Sequence, residues 1–272
     1  MQQTSLIDIG ANLTHDSFDR DRAEVIAAAR AVGVGHMIVT GADEESSRQA
    51  LELSRAYPGI LFCTAGVHPH QARNYDFERT PETLRGLLDA PETVAVGECG
   101  LDYFRNFSPH PVQLTAFESQ LELACDAGKP VFMHQRDAHA DFMDVLRRYR
   151  DRISAGVVHC FTGTEAELRE YLDMDLYIGV TGWLCDERRG THLRELLRLI
   201  PADRLMLETD APYLLPRDLN PLPKDRRNEP KYLPHILLAA AICTDRTVEQ
   251  LAAETSNNAA RLFKLRLEQC LE

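Results

Sequence analysis

The sequence predicts an α/β fold, a single-domain (β/α)8 TIM barrel that spans residues 1–272. Three observations lead to this prediction. The length of 272 residues suits such a barrel, which takes about 250 residues. Short apolar runs alternate with amphipathic helical patterns along the chain, and no Gly/Ser-rich linker or low-complexity tract divides it. A doubly wound open sheet is the alternative, because counting strands from patterns alone is fallible.

The strand candidates are rich in Val, Ile and Leu without strict alternation, as expected for parallel strands that are buried on both faces. They lie at Leu6–Ile9, His36–Thr40, Ile60–Ala65, Thr93–Val96, Pro130–Met133, Ala155–Val158, Leu176–Val180 and Arg204–Leu207. Their regular pairing with helical patterns favours a closed parallel barrel over an open sheet.

Helical patterns follow these strands and are recognised by apolar residues three and four positions apart. They cover Arg22–Val32, Glu44–Tyr57, Pro81–Asp89, Pro111–Ala127, Ala138–Arg150, Glu165–Asp173 and Leu193–Leu199. Thr164, with Glu167 three residues later, predicts a capping box at the start of one helix. The tail from about Tyr232 predicts two or three further helices that close the last turn.

Charge and composition narrow the function classes. The formal net charge of −12 argues against a protein that coats nucleic acid, because such binding relies on Lys and Arg facing phosphates. No apolar run reaches the roughly 18 residues of a membrane span, and the N-terminus has no signal-peptide pattern. The seven scattered cysteines include no Cys-x-x-Cys pair, which is typical of buried free thiols. We therefore expect a cytoplasmic protein with no membrane partner.

Polar side chains stand at the C-terminal ends of several predicted strands. His68 follows the third strand, Glu98 the fourth, His134 the fifth, His159 the sixth and Asp210 the eighth. In a TIM barrel these ends form the face on which active sites are built. Residues far apart in the sequence are therefore expected to converge in one mouth.

Glu98, His134 and His159 are the candidates for a metal centre. A lone His after an apolar strand usually packs or caps, but two on neighbouring strands beside a Glu favour a metal site. Imidazole and carboxylate are standard ligands for divalent ions, and such ions activate water for hydrolysis. The pattern therefore predicts a metal-dependent hydrolase.

The roles of Asp210 and His68 have alternatives. Asp210 precedes an Ala-Pro pair and suits a helix cap, or it is an inward carboxylate that binds the metal and acts as general base. If the strand runs through both residues, the side chain of Glu208 points to the same side as that of Asp210 and has a supporting role. Either His68 or His70 donates a hydrogen bond to phosphate or protonates the leaving group, or these residues are solvated or cap the chain.

Several segments resemble the signature blocks of the TatD-type metal-dependent deoxyribonucleases, over nearly the whole chain. They are Gly97–Asp102, Met133–Asp137, His159–Gly163, Thr181–Gly190, Glu208–Pro212, Arg226–Pro230 and Asn258–Phe263. The resemblance implies metal ligation by Glu98, His134 and His159, with Asp210 as a further ligand or the base. It also implies 3′ to 5′ exonuclease action on single-stranded DNA and RNA with Mg²⁺, with Mn²⁺ or Zn²⁺ as alternative ions.

The first strand departs from the family pattern. Most of the wider family opens with Asp-x-His-x-His, whose two His hold a second metal, whereas this chain has Asp8-Ile9-Gly10-Ala11-Asn12. The departure puts a full two-metal site in doubt. Magnesium accepts oxygen ligands such as those of Asp8 and Asn12, whereas imidazole suits zinc better, so we expect at most about one tightly held transition ion. Installing His at positions 10 and 12 should raise the zinc or manganese content.

Basic and aromatic residues near the predicted mouth indicate how a strand is held. Arg188-Arg189 and the segment from Arg217 to Lys231 form either a backbone-binding rim or a solvated loop. The candidates for base stacking are Tyr103, Phe104, Phe107, Trp183 and Tyr213. The expected partners are single-stranded DNA and RNA ends, with a monomer acting in DNA repair. A metal-dependent hydrolase of a small cyclic amide, ester or phosphate ester is the alternative.

Overall fold

The structure, a computed structural model, describes residues 5–188 and 190–265. Its sheet has eight parallel strands in sequence order. They are β1 Leu6–Ala11, β2 Val34–Val39, β3 Leu61–Ala65, β4 Thr93–Asp102, β5 Val131–Arg136, β6 Gly156–Val158, β7 Tyr177–Val180 and β8 Leu205–Leu207. The predicted (β/α)8 barrel and its eight strands are confirmed, and the doubly wound alternative is wrong.

The helices in the described part of the chain lie close to the predicted bounds. They are α1 Arg22–Ala31, α2 Glu44–Ala56, α3 Thr80–Leu88, α4 His110–Ala127, α5 His139–Tyr149, α6 Glu165–Asp173, α7 Thr191–Leu196, α8 Leu233–Thr244 and α9 Val248–Leu262. The capping box at α6 is confirmed: the Thr164 hydroxyl accepts from the Glu167 amide, and the Glu167 carboxylate accepts from the Thr164 amide. None of the described helices is both long and apolar enough to cross a membrane.

The barrel closes where β1 meets the segment after β8. Ala11 pairs in parallel with Ala211. The amide of Asn12 donates to the carbonyl of Ala211 at 2.7 Å, and the amide of Asp210 donates to the carbonyl of Gly10 at 2.8 Å. Closure therefore places Asp210 against the C-terminal end of β1.

Two apolar clusters hold the barrel together. The larger cluster lies between the strands and the surrounding helices, as expected for strands that are buried on both faces. The smaller cluster fills the interior and includes Ile7 and Ile9 of β1, Phe132 of β5 and Leu262 of α9. The barrel is therefore packed through its centre and leaves no continuous pore.

Helix α9 seals the end of the barrel at which the strands begin. Its Asn258 is buried and donates two hydrogen bonds of 2.9 Å, to the carbonyls of Ala202 and Leu205 at the start of β8. The opposite end, where the strands finish, is left open for a site.

The cysteines agree with the expectation of free thiols. Those within the described residues are free, namely Cys63, Cys99, Cys125, Cys160, Cys185 and Cys243. Cys270 lies outside the described residues.

Candidate metal centre

Glu98 is the hub of the polar cluster at the C-terminal end of the barrel. The residue is only 6% exposed. Its Oε1 lies 2.7 Å from His159 Nε2, 3.1 Å from His134 Nδ1 and 3.2 Å from His68 Nε2. The structure thus brings the three sequence-derived ligand candidates together, with His68 beside them.

Two glycines let β4 approach β5 closely enough to build this cluster. Gly97 and Gly100 have φ of +139° and +136°, a region that side chains rarely tolerate. A Cβ at these positions would lie 2.2 Å from the Phe132 carbonyl oxygen and 2.0 Å from that of His134. Strand β4 therefore continues past Glu98 and pairs Gly100 directly with His134.

His134 and His159 each face a second buried carboxylate with the nitrogen that points away from Glu98. His134 Nε2 lies 3.2 Å from Asp102 Oδ2, and His159 Nδ1 lies 3.4 Å from Glu208 Oε2. A carboxylate behind an imidazole fixes the ring and its tautomer, which leaves the other nitrogen free of its proton to bind a metal. This arrangement is typical of histidine ligands to divalent ions.

His68 is held differently. Its Nδ1 accepts a hydrogen bond of 3.0 Å from the His70 amide, so the neutral ring carries its proton on Nε2 and donates it towards Glu98. Burial, the largest effect, lowers the pKa of His68 to about 4. At neutral pH His68 is therefore an uncharged donor, suited to a phosphate oxygen more than to metal ligation or to protonating a leaving group.

The charges in the cluster are strongly coupled. Burial works to raise the pKa of Glu98, but His159, His68 and His134 together hold that pKa well below its usual value. Burial raises the pKa of Asp210 to about 7, and the negative charges of Glu98 and Glu208 act in the same direction. A cation in the centre would reverse this and favour ionised Asp210.

Two buried polar atoms lie behind His159, on the side away from Glu98. Within the described residues, His159 Nδ1 and Glu208 Oε2 have no hydrogen bond of good geometry. Glu208 is fully buried, and its other oxygen accepts from the Cys160 amide at 2.5 Å. Buried carboxylates without full compensation are stabilised by a cation. The imidazole and carboxylate set around Glu98 fits a divalent ion.

Asp8 and Asn12, at the C-terminal end of β1 and just beyond it, both bond to the segment after β8. Asp8 accepts from the Thr209 amide at 2.9 Å, from the Thr209 hydroxyl at 2.5 Å and from the Gly10 amide at 3.3 Å. Asn12 donates from Nδ2 to Asp210 Oδ1 at 3.0 Å. The oxygens of Asp8 that the sequence offered to a second ion are thus engaged in hydrogen bonds.

Asp102 is the functional residue that sequence reasoning missed. Its Oδ2 lies 2.8 Å from His70 Nε2 as well as beside His134, and the histidines help to lower its pKa although burial opposes this. The sequence predicts that β4 ends at Val96, whereas the strand continues to Asp102. The alternation of Glu98, Gly100 and Asp102, which places them on one strand face, is the sequence pattern that indicates Asp102.

The aromatic candidates around the mouth divide into two groups. Phe104, Phe107 and Tyr213 are 52%, 49% and 50% exposed. Tyr103 stacks on a neighbouring imidazole at 3.6 Å between ring centroids, and Trp183 packs partly buried against the core. The three exposed rings have the solvent-accessible area that base stacking needs, although the Arg136 guanidinium covers one face of Phe104 at 3.9 Å from the ring centroid.

A cavity of about 380 Å³ near the mouth is lined by three arginines, Arg188, Arg217 and Arg226. Arg188 pairs with Asp186 at 3.2 Å, and Arg217 lies 3.8 Å from the same carboxylate. Arg226 is exposed. Guanidinium groups bind phosphate oxygens through paired N–H donors, so this cavity has the chemistry to hold a phosphate.

The basic surface is narrower than the predicted rim from Arg217 to Lys231. Arg227 and Lys231 both pair with Glu229, at 3.1 and 2.6 Å. Arg189 lies outside the described residues. The cavity is lined by three arginines and a single carboxylate, that of Asp186, whereas Arg227 and Lys231 are offset by the two carboxylates of Asp21 and Glu229. The cavity therefore keeps an excess of positive charge, and its arginines are the main candidates for phosphate binding.

Comparisons with known proteins agree with this site. A family model described as TatD related DNase matches residues 7–264. A protein of Edwardsiella piscicida named 3'-5' ssDNA/RNA exonuclease TatD is 54% identical over 260 residues, which cover 96% of this chain and 100% of that protein. The crystal structure of YjjV, a TatD homologue from Escherichia coli K12, has a TM-score of 0.87 at 26% identity and covers 97% of this chain and 99% of its own. That of a hydrolase TatD family protein from Entamoeba histolytica has a TM-score of 0.86 at 27% identity, with coverages of 96% and 99%.

The match to the family model includes the strand ends that carry the polar cluster and the helix that seals the barrel. The use of a divalent metal is implied by that family and agrees with the donor set around Glu98. The resemblance inferred from the signature blocks is confirmed. The chain belongs to the TatD related DNase family.

Proposed function

We propose that the protein is a divalent metal-dependent exonuclease that degrades single-stranded DNA and RNA from the 3′ end. One observation carries the proposal: two histidines meet at Glu98, and each is backed by its own buried carboxylate. The centre stands in a chain that is 54% identical to a protein named for this activity. Family membership and site chemistry therefore support the same function.

Glu98, His134 and His159 are the proposed ligands, with Asp210 as a further ligand or the base. The ion supplies neutralisation of the phosphate charge and a lowered pKa of its water. We assign Mg²⁺ as the working ion, since Glu98, Asp210 and water provide the oxygen that magnesium prefers. Mn²⁺ and Zn²⁺ also suit the two imidazoles.

The proton transfers are assigned to the chain's own residues. Asp210, with a pKa of about 7 before an ion binds, accepts the proton of the attacking water. His68 donates a hydrogen bond from Nε2 to a phosphate oxygen, because its Nδ1 is engaged by the backbone.

Substrate binding is assigned to the surface around the centre. The exposed rings of Phe104, Phe107 and Tyr213 can stack on unpaired bases without sequence preference. The arginine-lined cavity can hold a backbone phosphate. The bases of an intact duplex are stacked on one another and cannot stack on these rings, so this surface favours single strands.

The activity is tested with oligonucleotides in the presence of Mg²⁺. A 5′-labelled single strand should yield a progressive ladder, and a matched duplex should be degraded more slowly. Immediate release of the label as a mononucleotide would reverse the polarity. Cleavage of a closed single-stranded circle would contradict exonuclease action.

The metal assignment is tested with His134→Ala and His159→Ala, with His36→Gln as the matched control. His36 is also a barrel-strand histidine, but it bonds only the Gly59 carbonyl among the contacts described. Both centre variants should lose hydrolysis and bound metal while circular dichroism and melting show a folded barrel. Full activity in either variant would contradict the assignment.

The alternative, hydrolysis of a small cyclic amide, ester or phosphate ester, uses the same centre. It predicts turnover of a generic phosphodiester or cyclic amide that equals or exceeds turnover of single strands. The aromatic and arginine surface favours the nuclease. A cytoplasmic monomer acting in DNA repair stays a prediction.

A further inference from the structure

A second cluster of metal-type ligands lies away from the Glu98 centre and shares no residue with it. Cys185, Asp218 and His235 bring a sulfur, a carboxylate oxygen and an imidazole nitrogen within 4.8 Å of one another. They come from three separate places: the 3-10 turn Gly182–Cys185, the segment after β8 and helix α8. Thiolate, carboxylate and imidazole are all ligands of divalent transition ions.

Burial within the cluster is graded from inside to outside. Cys185 is 1% exposed, whereas the side chains of Asp218 and His235 are 41% and 29% exposed. His235 Nε2 lies 2.7 Å from Asp218 Oδ1. An ion could therefore enter from solvent, with the thiol beneath it and a water completing four ligands.

We propose that Cys185, Asp218 and His235 form a second metal site, selective for a zinc-class ion. Thiolate and imidazole select zinc-type ions over magnesium, which prefers oxygen. On binding, the Cys185 thiol would release its proton to solvent, and sulfur–metal, oxygen–metal and nitrogen–metal bonds would replace the hydrogen bond between His235 and Asp218. The proposal does not depend on the exonuclease activity.

The electrostatics of the cluster without a cation make metal and proton compete for the Cys185 sulfur. Burial and the neighbouring Asp218 charge raise the pKa of Cys185 to about 12. Without a cation the thiol therefore stays protonated and unreactive. A coordinated ion changes this, because it stabilises the thiolate directly.

The site would fix one wall of the arginine-lined cavity. Arg217, which lines that cavity, is adjacent to Asp218 in the chain. The same segment is packed tightly against the 3-10 turn, since a Cβ at Gly182 would lie 2.2 Å from the Leu214 carbonyl oxygen. An ion shared with α8 would hold this segment, and hence Arg217, at a constant distance from the barrel.

The test is a Co²⁺ titration of the full chain after removal of metals with a chelator, in a non-thiol reductant. Thiolate-bound Co²⁺ absorbs in the near ultraviolet by charge transfer, whereas ions held only by imidazole and carboxylate do not. Cys185→Ser removes the thiol, and Cys243→Ser is the matched control on a partly buried cysteine of α8. His235→Gln and Asp218→Asn alter partly exposed ligands and should leave the fold intact.

We expect the wild type and Cys243→Ser to show the charge-transfer band, with Zn²⁺ displacing it. The band should vanish in Cys185→Ser, and cobalt affinity should fall by more than about tenfold in His235→Gln and Asp218→Asn, because loss of a direct ligand costs at least as much as loss of its supporting partner. Absence of the band in the wild type would overturn the proposal. The proposal would also be overturned if the band persisted in Cys185→Ser, or if cobalt bound with unchanged affinity to both His235→Gln and Asp218→Asn. Either result would mean that the cluster is held by hydrogen bonds only.

Discussion

Replacing Gly10 with Ala tests how Glu208 supports the metal centre. A Cβ at Gly10 would lie 2.5 Å from Glu208 Oε2 and 3.1 Å from Phe132 Cζ. Ordinary contact begins at 3.4 Å, so the carboxylate would have to move by about 0.9 Å, the difference between 3.4 and 2.5 Å. Glu208 has little freedom to do so, because it is fully buried and its Oε1 accepts a hydrogen bond from the Cys160 amide.

We expect Gly10→Ala to lower the free energy of unfolding by about 1–3 kcal/mol, the usual cost of overpacking a rigid interior. Displacing Glu208 also turns the His159 ring, so metal affinity should fall by about 10- to 100-fold. Denaturant unfolding gives the first quantity, and metal titration followed by nuclease assay gives the second.

A double-mutant cycle identifies Glu208 as the cause. Glu208→Asp shortens the side chain by one methylene, so adding Ala at Gly10 should cost less in that background, with a coupling energy of about 0.5–3 kcal/mol. Gly86→Ala on α3 is the control: no atom lies within 4 Å of its Cβ, and the change should stabilise the helix by up to about 1 kcal/mol. An equal penalty with and without the full-length Glu208 side chain would refute the reasoning.

The same crowding revises the expectation from sequence about His at positions 10 and 12. A larger side chain at Gly10 meets the same carboxylate before it reaches any ion. In this chain Glu208 occupies the space beside β1 and supports His159 from there. We now expect His at both positions to raise the zinc or manganese content only when Glu208 is shortened as well.

Three further predictions concern the supports of the barrel and the site. Asn258→Ala leaves the buried carbonyl of Leu205 and the part-buried carbonyl of Ala202 without their donor and should cost about 1–3 kcal/mol of unfolding free energy by denaturant titration, with activity retained while folded. The Gln120 side chain accepts a hydrogen bond from the Val67 amide and donates one to the Val67 carbonyl, and so holds the backbone next to His68. Gln120→Leu should therefore lower kcat more than it raises KM. In metal-free protein, burial raises the pKa of Asp8 from 3.8 to about 7. As the pH falls through 7, the folded state therefore binds a proton that the unfolded state does not, and the free energy of unfolding increases. The unfolding free energy should then be larger at pH 5 than at pH 8 by up to about 3 kcal/mol, and Asp8→Asn should reduce this difference.

Each of these predictions has a contrary outcome. Unchanged stability of Asn258→Ala would mean that water replaces both hydrogen bonds of α9. A rise in KM alone in Gln120→Leu would place Val67 in substrate binding. A pH dependence that is the same with and without Asp8 would assign the proton uptake to other groups.

The sequence was sufficient for the barrel and for the convergence of the site. Parallel strands bring their C-terminal ends to one face, so Glu98, His134 and His159 could be placed together without coordinates. It was insufficient for β4, because Gly97 and Gly100 suggest a turn, whereas the structure uses them for close approach to β5.

Other features depend on contacts that no local pattern encodes. The tautomer of His68 is set by the amide of His70, and that depends on the path of the chain after β3. The predicted basic rim is reduced because Arg227 pairs with Asp21, 206 residues away. Pairings at such distances follow from the fold and cannot be read from charge runs.

The sealing of the barrel by α9 has a consequence for biosynthesis. Strand β1 precedes in the chain both its neighbour across the closure and the helix that covers Ile7 and Ile9. Until β8 and α9 have been synthesised, a growing chain therefore has an unpaired edge on β1 and an uncovered apolar interior. During that interval the edge of β1 is a surface open to non-native strand pairing.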